Sequence, residues 1–488
     1  MRRLVWFAIG ICAGCAMGVY AFGGEMFLWI SLAVAMAVVS VLCFRKKKLG
    51  LILLGLALGL LYTSVYYGLY LSGTGKYDGQ AFETVITATD YSQQTDYGIQ
   101  TEGKISLDGK TYRVRIYINE QLQVEPGDEL KGNFLLRLTA PGGSKELSYY
   151  QGEGVWFIAY ARGVITVAEE KGEDIRYLPQ RLRRAVLGRL ESLFPEDTVA
   201  FAKALLLGDT EELSYEQDTA LKISGIRHIV AVSGSHVSIL FALIYTMAGK
   251  RRYLTAFLGI PMLLLFAFVV GLTPSIMRAC VMQSLMMLAL LFHREYDPPS
   301  ALAFAVLVIL GTNPIAITSV SLQLSVGCMI GIFAFSASVT EYLMSFGKLK
   351  KKSKGKSFRA KLIRWIVGSV SVTLSAMVVT TPLCAAYFGM VSLISVPANL
   401  LTLWIISFVF YGIMLVCALG AIWIPLGRVL SWLLSLPIRY VLAISGLLAR
   451  FPLAAVYTDS IYIVLWLVLS YCILLVFFAQ KRKYPGRF

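Results

Sequence analysis

The sequence predicts a polytopic α-helical membrane protein, with about 11–12 spans and one small extracytoplasmic β-barrel. Three observations carry this reading. The 488 residues are 57% hydrophobic and only 15% charged, with a mean hydropathy of +0.68, whereas a soluble chain is far more polar. Apolar runs of about 20 residues recur, each long enough to cross a hydrocarbon core of roughly 30 Å. Between residues 76 and 170 that pattern gives way to alternating apolar and polar residues, the period of a strand with one buried face.

The first three apolar runs are Leu4 to Phe22, 26–44 and 49–71. Arg2 and Arg3 before the first run mimic a secretory leader, but two more runs follow at once, which fits an uncleaved span. The positive-inside rule places Arg2, Arg3 and Arg45-Lys46-Lys47-Lys48 in the cytoplasm and Gly23-Gly24-Glu25 outside. Residues 1–72 therefore form a three-span region whose last span emerges outside, near Ser72.

Residues 73–175 are expected to form the outer β domain. Tyr112-Arg113-Val114-Arg115-Ile116-Tyr117-Ile118 alternates strictly, and Asp108-Gly109 before it is a hairpin signal. Pro126-Gly127-Asp128 and Pro141-Gly142-Gly143 read as turns. A closed barrel would leave no exposed strand edge. Tyr112 and Tyr117, with Tyr91 and Tyr97, lie near Lys110, Arg113 and Arg115, an aromatic and basic interleaving that suits nucleic acid but also occurs on ordinary β surfaces. In residues 176–224 the near-helical spacing of Leu178, Leu182, Val186, Leu190 and Leu193 predicts an amphipathic helix on the outer membrane surface. Its Arg181, Arg183, Arg184 and Arg189 point either to lipid headgroups or to an incoming polyanion.

Residues 225–488 form the expected transmembrane core, with spans near 228–248, 253–272, 276–292, 299–313, 316–344, 362–381, 397–418, 428–449 and 459–480. Lys250-Arg251-Arg252, His293-Arg294, the basic loop 348–364 and Lys481-Arg482-Lys483 then fall inside, so both termini are cytoplasmic. Arg450 is left outside. Much of the net charge of +16 thus reports topology, although the 348–364 loop also suits nucleic acid.

Several chemistries are weighed on the residues. All eight cysteines lie in apolar segments, so no disulfide framework is expected, and Cys12-x-x-Cys15 has no ligands nearby. A zinc site needs three or four ligands, and only three histidines exist. Ser233, His236 and Asp209 compose a conceivable triad, but Gly-x-Ser-x-Gly is absent around Ser233. Gly355-Lys356-Ser357 resembles the end of a P-loop, but Lys350 replaces its first glycine and no strand precedes it. Arg278 is the sole charge from Tyr253 to Phe292. It either snorkels, pairs structurally or faces a hydrated path. Ser319, Ser321, Gln323 and Ser325 alternate by two, which one helix face cannot hold, so either the helix breaks there or Gln323 bonds to a neighbour. Pro382 and Pro397-Ala398-Asn399-Leu400 suggest another broken span, lining a cavity or gluing helices.

One combination of motifs is specific. Gly208-Asp209, Gly225-Ile226-Arg227-His228 through Ser233-Gly234-Ser235-His236-Val237, Pro274-Ser275-Ile276-Met277-Arg278-Ala279, Asn313-Pro314, Leu322-Gln323-Leu324-Ser325, Thr381-Pro382 with Tyr387-Phe388-Gly389, and Pro397-Ala398-Asn399-Leu400 resemble, in order and spacing, the core of the ComEC competence proteins. The resemblance implies an OB-like fold for the outer β domain and a channel importing single-stranded DNA through the cytoplasmic membrane during natural transformation. His228, Ser233, His236, Arg278, Gln323 and Asn399 would then line or gate the path. Asp209, Ser235 and Ser325 would be polar partners, and Arg113, Arg115, Tyr112, Tyr117, Arg181 and Arg184 would touch DNA. Implied partners are the lipid bilayer, a DNA receptor outside, a separate nuclease and a cytoplasmic helicase or translocase. No catalytic residue, metal or cofactor is expected. Ser235 departs from the larger apolar residue usual in the family, and the sequence ends at Phe488 without the metallo-β-lactamase-like domain many members carry. Two alternatives stand beside the channel: a membrane enzyme acting on a lipid or cell-wall polymer through Asp209, His228 and His236, and a non-conducting scaffold.

Overall fold

The computed structural model describes residues 2–21, 32–34, 36, 47–70, 73–95, 98–139, 150–168, 174–345, 357–458, 460–462, 465, 468–469 and 471. Most of the expected spans 26–44 and 459–480, Tyr97, the Pro141-Gly142-Gly143 turn and residues 348–356 of the basic loop lie outside the described residues.

The helices are α1 (Arg3–Ala21), α2 (Lys47–Tyr70), α3 (Leu178–Leu193), α4 (Glu196–Leu207), α5 (Tyr215–Ile223), α6 (Arg227–Val230), α7 (Gly234–Met247), α8 (Arg252–Val270), α9 (Pro274–Leu291), α10 (Pro298–Thr312), α11 (Val320–Ser345), α12 (Phe358–Phe388), α13 (Ser395–Ile422) and α14 (Ile424–Ala449). Among the described residues, eight of these are long and apolar enough to cross a membrane: α1, α2, α8, α9 and α11–α14. The chain is a multi-pass membrane protein. It divides into two compact units, Met1–Gly188 with Ser233–Gln323, and Arg189–Val232 with Leu324–Phe488. The first unit thus joins the β domain to α7–α10, a grouping that sequence order does not suggest.

In the first unit, α1 and α2 meet through glycine. A Cβ on Gly10 would lie 2.2 Å from Ile52 O, one on Gly14 2.4 Å from Leu56 O, one on Gly55 2.4 Å from Phe7 O and one on Gly59 2.6 Å from Ile11 O. Only a residue without a side chain lets backbones approach this closely, and dispersion between them drives association where lipid is as apolar as leucine. Gly10 faces Gly55 and Gly14 faces Gly59, so the helices run in the same direction, as the expected topology requires.

The β domain comprises β1 (Ala81–Ala88), β2 (Gln93–Thr95), β3 (Gly98–Leu107), β4 (Lys110–Ile118), β5 (Glu129–Leu138) and β6 (Val155–Ala168). Their order is β1-β5-β6-β4-β3-β2, and β1 also pairs with β3, which closes a five-stranded barrel with β2 appended. All pairs are antiparallel except β4–β6, the OB-like arrangement. The Asp108-Gly109 turn has φ of 50° and 72°, the two positive values a tight hairpin needs. Alternation in β4 puts Tyr112, Val114, Ile116 and Ile118 inside, packed with Ile86, Leu130, Phe134 and Phe157.

That core continues into the membrane part of the unit through Val19 and Ile315. Trp156 stacks on Tyr70 with ring centroids 6.3 Å apart and contacts Tyr66 at 5.9 Å. The Tyr112 hydroxyl donates to Tyr70 O (3.1 Å), Lys110 Nζ donates to Leu69 O, and Asn313 Nδ2 donates to Gln151 O (3.1 Å). The barrel thereby satisfies carbonyls at the C-terminal end of α2, which has no further turn to bond them.

In the second unit, Gly420 and Gly427 pack against each other between α13 and α14, and both hold Leu193. A short ribbon, β7 (Met390–Ser392) with β8 (Ala455–Tyr457), ties the entry to α13 to the segment after α14. Two expected spans differ in form. Residues 228–248 are not one helix: α6 ends at Val230, the chain runs extended through Ser233, and α7 restarts with 14 residues. The 316–344 span begins as a 3-10 turn, Pro314–Thr318, before α11. Pro382 lies within α12 and does not end it.

Gly55→Val is expected to destabilise the full-length protein in detergent by about 1–3 kcal/mol through overpacking. Gly446→Ala, where a Cβ meets nothing within 4 Å, should not destabilise it. Thermal unfolding of the two variants beside wild type checks this.

Candidate functional site

Polar residues gather at two places, one in each unit. In the first unit the centre is the restart at Ser233. Ser233 N donates to His236 Nδ1 (3.0 Å), and the Ser233 hydroxyl lies 2.8 Å from Ser235 Oγ and 3.4 Å from His236 Nδ1. These residues form a capping box that satisfies the first turn of α7. His236 is fully buried, with Nδ1 committed to this cap. Arg278 is 7% exposed, which contradicts snorkelling to the membrane surface. It reaches the first residue of α7: a Cβ on Gly234 would lie 2.8 Å from Arg278 Nη2. Its Nη1 also lies 3.5 Å from Met282 Sδ. One turn further on, Gln283 Nε2 donates to Ser238 Oγ (2.8 Å), extending a polar seam between α7 and α9. The guanidinium stands beside the positive end of a helix, so the local potential favours an anion.

Gln323 resolves the puzzle of the alternating polar residues. The helix does break, at Ser319, and Gln323 Nε2 donates back to Ile317 O (2.9 Å) and to Tyr20 Oη (3.4 Å). It repairs the 3-10 turn, and Ser319 Oγ accepts from Leu322 N (3.4 Å). Ser325 lies half-buried on α11 in the second unit.

In the second unit the polar cluster surrounds Gly225. Its φ of 76° favours glycine, and a Cβ there would lie 2.6 Å from Ser395 Cβ and 2.9 Å from Ser392 Oγ. His228 is exposed, and its Nδ1 lies 3.0 Å from Gly225 O, a contact that places the proton on Nδ1. Asn399, one turn after Ser395 on α13, is 7% exposed, and its Oδ1 has no hydrogen-bond partner among the described residues; nor has Ser392 Oγ. Asp209 Oδ1 accepts a turn contact from Glu211 N at 3.5 Å. Of the residues in the enzyme alternative, Asp209 and His228 belong to the second unit and His236 to the first. Among the described residues no group of three or more potential metal ligands gathers.

The barrel sorts its candidates. Tyr112 is 3% exposed and stands in the core, edge-on to Phe157, so it presents no ring for stacking. Tyr117 stacks on Tyr160 at 5.6 Å, and Tyr160 is 39% exposed. Arg113 and Arg115 both bind Glu102 across the strand pair, at 2.8 and 3.0 Å, and Arg115 also covers the Tyr150 ring. Burial pushes the Glu102 carboxyl up, and the charges and hydrogen bonds of the two arginines more than reverse this, leaving it below the usual carboxylate range.

Three arginines of α3 make contacts within the protein. Arg184 pairs with Glu125 (3.1 Å) and lies 4.3 Å over Tyr91, docking the helix on the barrel. Arg183 Nη1 donates to Val270 O (2.9 Å) at the C-terminus of α8, and in the second unit Arg189 Nη1 donates to Gly420 O (3.3 Å) near the end of α13. Arg181 also lies in α3, ahead of them.

Sequence reading missed Lys203. It is 2% exposed on α4 and bonds Glu191 (2.7 Å) on α3 and Glu212 (2.5 Å) in the turn after α4. The signal was a lone lysine in Ala200-Phe201-Ala202-Lys203-Ala204-Leu205. The hub fixes the turn that holds Asp209.

Comparison with known proteins yields a family and three relatives. Residues 205–483 match the family described as Competence protein. The chain is 28% identical over 232 residues to ComE operon protein 3 of Bacillus subtilis (strain 168), covering 47% of this chain and 27% of that protein. It is 21% identical over 304 residues to Recombination protein 2 of Haemophilus influenzae, covering 60% and 36%. It is 31% identical over 113 residues to the uncharacterized protein MG316 of Mycoplasma genitalium, covering 23% and 29%. The matches span well under half the length of these curated relatives. No solved structure matches the chain.

Because the folded-state pKa of Glu102 lies below its unfolded value, its stabilisation is complete above the unfolded carboxylate range, about 4.3, and is lost as pH falls through the folded value. Hydrogen-exchange protection of β3 and β4, corrected for intrinsic rates, should therefore fall in acid. Glu102→Gln should show weaker protection at pH about 7 and little further loss on acidification.

Proposed function

This chain belongs to the competence protein family, and we propose that it forms a membrane channel importing single-stranded DNA across the cytoplasmic membrane in natural transformation. The proposed orientation puts both termini in the cytoplasm and the barrel outside, with the Tyr117–Tyr160 pair as a stacking surface for bases. The proposed partners are a DNA receptor, a separate nuclease and a cytoplasmic helicase or translocase.

A single observation carries the reading: the buried Arg278 guanidinium rests against the first residue of α7. Each phosphodiester carries a charge that hydrocarbon rejects. A strand can cross only where water or fixed positive groups replace its hydration. Arg278 supplies a full charge, and the α7 N-terminus adds its dipole. The Ser235 and Ser238 hydroxyls, both exposed, add neutral hydrogen bonds along the same helix. Asn399 and Ser392 offer further buried polar atoms in the second unit. These neutral groups bind weakly enough to let a strand move on.

The test is uptake of labelled DNA into the cytoplasm of a strain whose chromosomal copy is deleted, complemented by variants at equal membrane abundance. Arg278→Gln should lower uptake by about 10- to 100-fold, the scale of one lost charge-assisted contact, and Arg278→Lys should keep part of it. Gly234→Ala should also lower uptake, since its Cβ would displace a flexible guanidinium instead of backbone. Asn399→Leu should lower uptake while leaving thermal stability unchanged or raised, because it removes a buried acceptor that lacks a partner. Uptake that needs the protein but ignores all these changes would favour the scaffold.

A further inference from the structure

A second cluster of positive charge lies at the opposite end of the α1–α2 pair from the barrel. Arg3 and Trp6 in the first turn of α1, with Lys47, Lys48 and Leu51 in the first turn of α2, line a cleft of about 510 Å³. That falls within the roughly 300–1,000 Å³ of small-molecule sites. All three cations are exposed, and none has a carboxylate partner among the described residues, whereas neighbouring Arg2 is bound to Asp297 at 3.0 Å. Within the cleft, Lys48 Nζ lies 5.4 Å over the Trp6 ring. The same-direction packing of α1 and α2 brings both helix N-termini to this spot, so their dipoles add to the side-chain charge.

We propose that this cleft binds the headgroup of an anionic phospholipid. The lining is divided in the way a lipid is divided. The cations meet a phosphate, Trp6 sits at interfacial depth, and Leu51 begins the apolar surface against which an acyl chain lies. A free phosphate would use the charges but not the apolar wall. The glycine seam locks the two helices together, so the cleft is held open by the fold. Bound lipid would neutralise like charges on adjacent helix ends and so strengthen the α1–α2 pair. The inference rests on the proposed orientation only, and not on DNA transport.

The test is native mass spectrometry of the full-length protein released from detergent, titrated with dioleoylphosphatidylglycerol or with dioleoylphosphatidylcholine. Wild type should retain phosphatidylglycerol in preference to phosphatidylcholine, and excess inorganic phosphate should not displace it. The R3Q/K47Q/K48Q variant should lose that preference, with affinity falling about fivefold per charge removed. The charge-conserving R3K/K47R/K48R variant should restore it, which separates binding from misfolding. Leu51→Trp, which fills the cleft and keeps its charges, should also weaken retention. Equal retention of phosphatidylglycerol by wild type and R3Q/K47Q/K48Q, or displacement by inorganic phosphate, would overturn the proposal. DNA uptake plays no part in the readout, so this proposal and the transport reading fail separately.

Discussion

A polar atom inside a bilayer can bond only to protein or to water it brings with it. That constraint sorts the side chains of this protein. Thr63, Ser64 and Thr402 each donate to a carbonyl four residues back on their own helix, at 2.8 to 2.9 Å. Such hydroxyls satisfy themselves and ask nothing of their surroundings. Gln283 and Arg278 instead reach from α9 to Ser238 and Gly234 of α7, and Asn399 Oδ1 has no hydrogen-bond partner among the described residues. These are the groups that the proposed path would use.

Arginine is used for opposite ends at two kinds of helix terminus. Arg183 and Arg189 donate to carbonyls at or near the C-termini of α8 and α13, where positive charge complements the dipole and satisfies backbone acceptors. Arg278 instead stands at an N-terminus, where charge and dipole have the same sign.

Much of the architecture was legible in the residues. The alternation in β4 and the Asp108-Gly109 pair announced a barrel hairpin, because both signals are local and the turn needs two positive φ values. The eight long helices follow from hydropathy alone. What escaped was tertiary. Gly10-x-x-x-Gly14 and Gly55-x-x-x-Gly59 stood in plain view inside apolar runs, yet only the partner helix shows that they face each other. The break at 231–233 separates two units that sequence order had merged. Tyr112 looked like a surface aromatic beside arginines, but strand parity sends it inward with Val114 while Arg113 and Arg115 go out. Lys203 passed unnoticed because its two carboxylates lie 12 and 9 residues away, on other segments.

The central claim is that the polar seam of α7 and the cluster at Asn399 meet water, whereas the apolar outer surface of α8 meets lipid. Cysteine accessibility tests it most directly. All eight native cysteines are replaced, and single cysteines are placed at Ser238, Asn399, Phe257 and Leu264 of the protein in intact membranes. The account predicts that a membrane-impermeant, cationic thiol reagent modifies the first two positions and spares Phe257 and Leu264, which are exposed on an apolar helix. Protection of Ser238 and Asn399 to the same degree as the lipid-facing pair would contradict it.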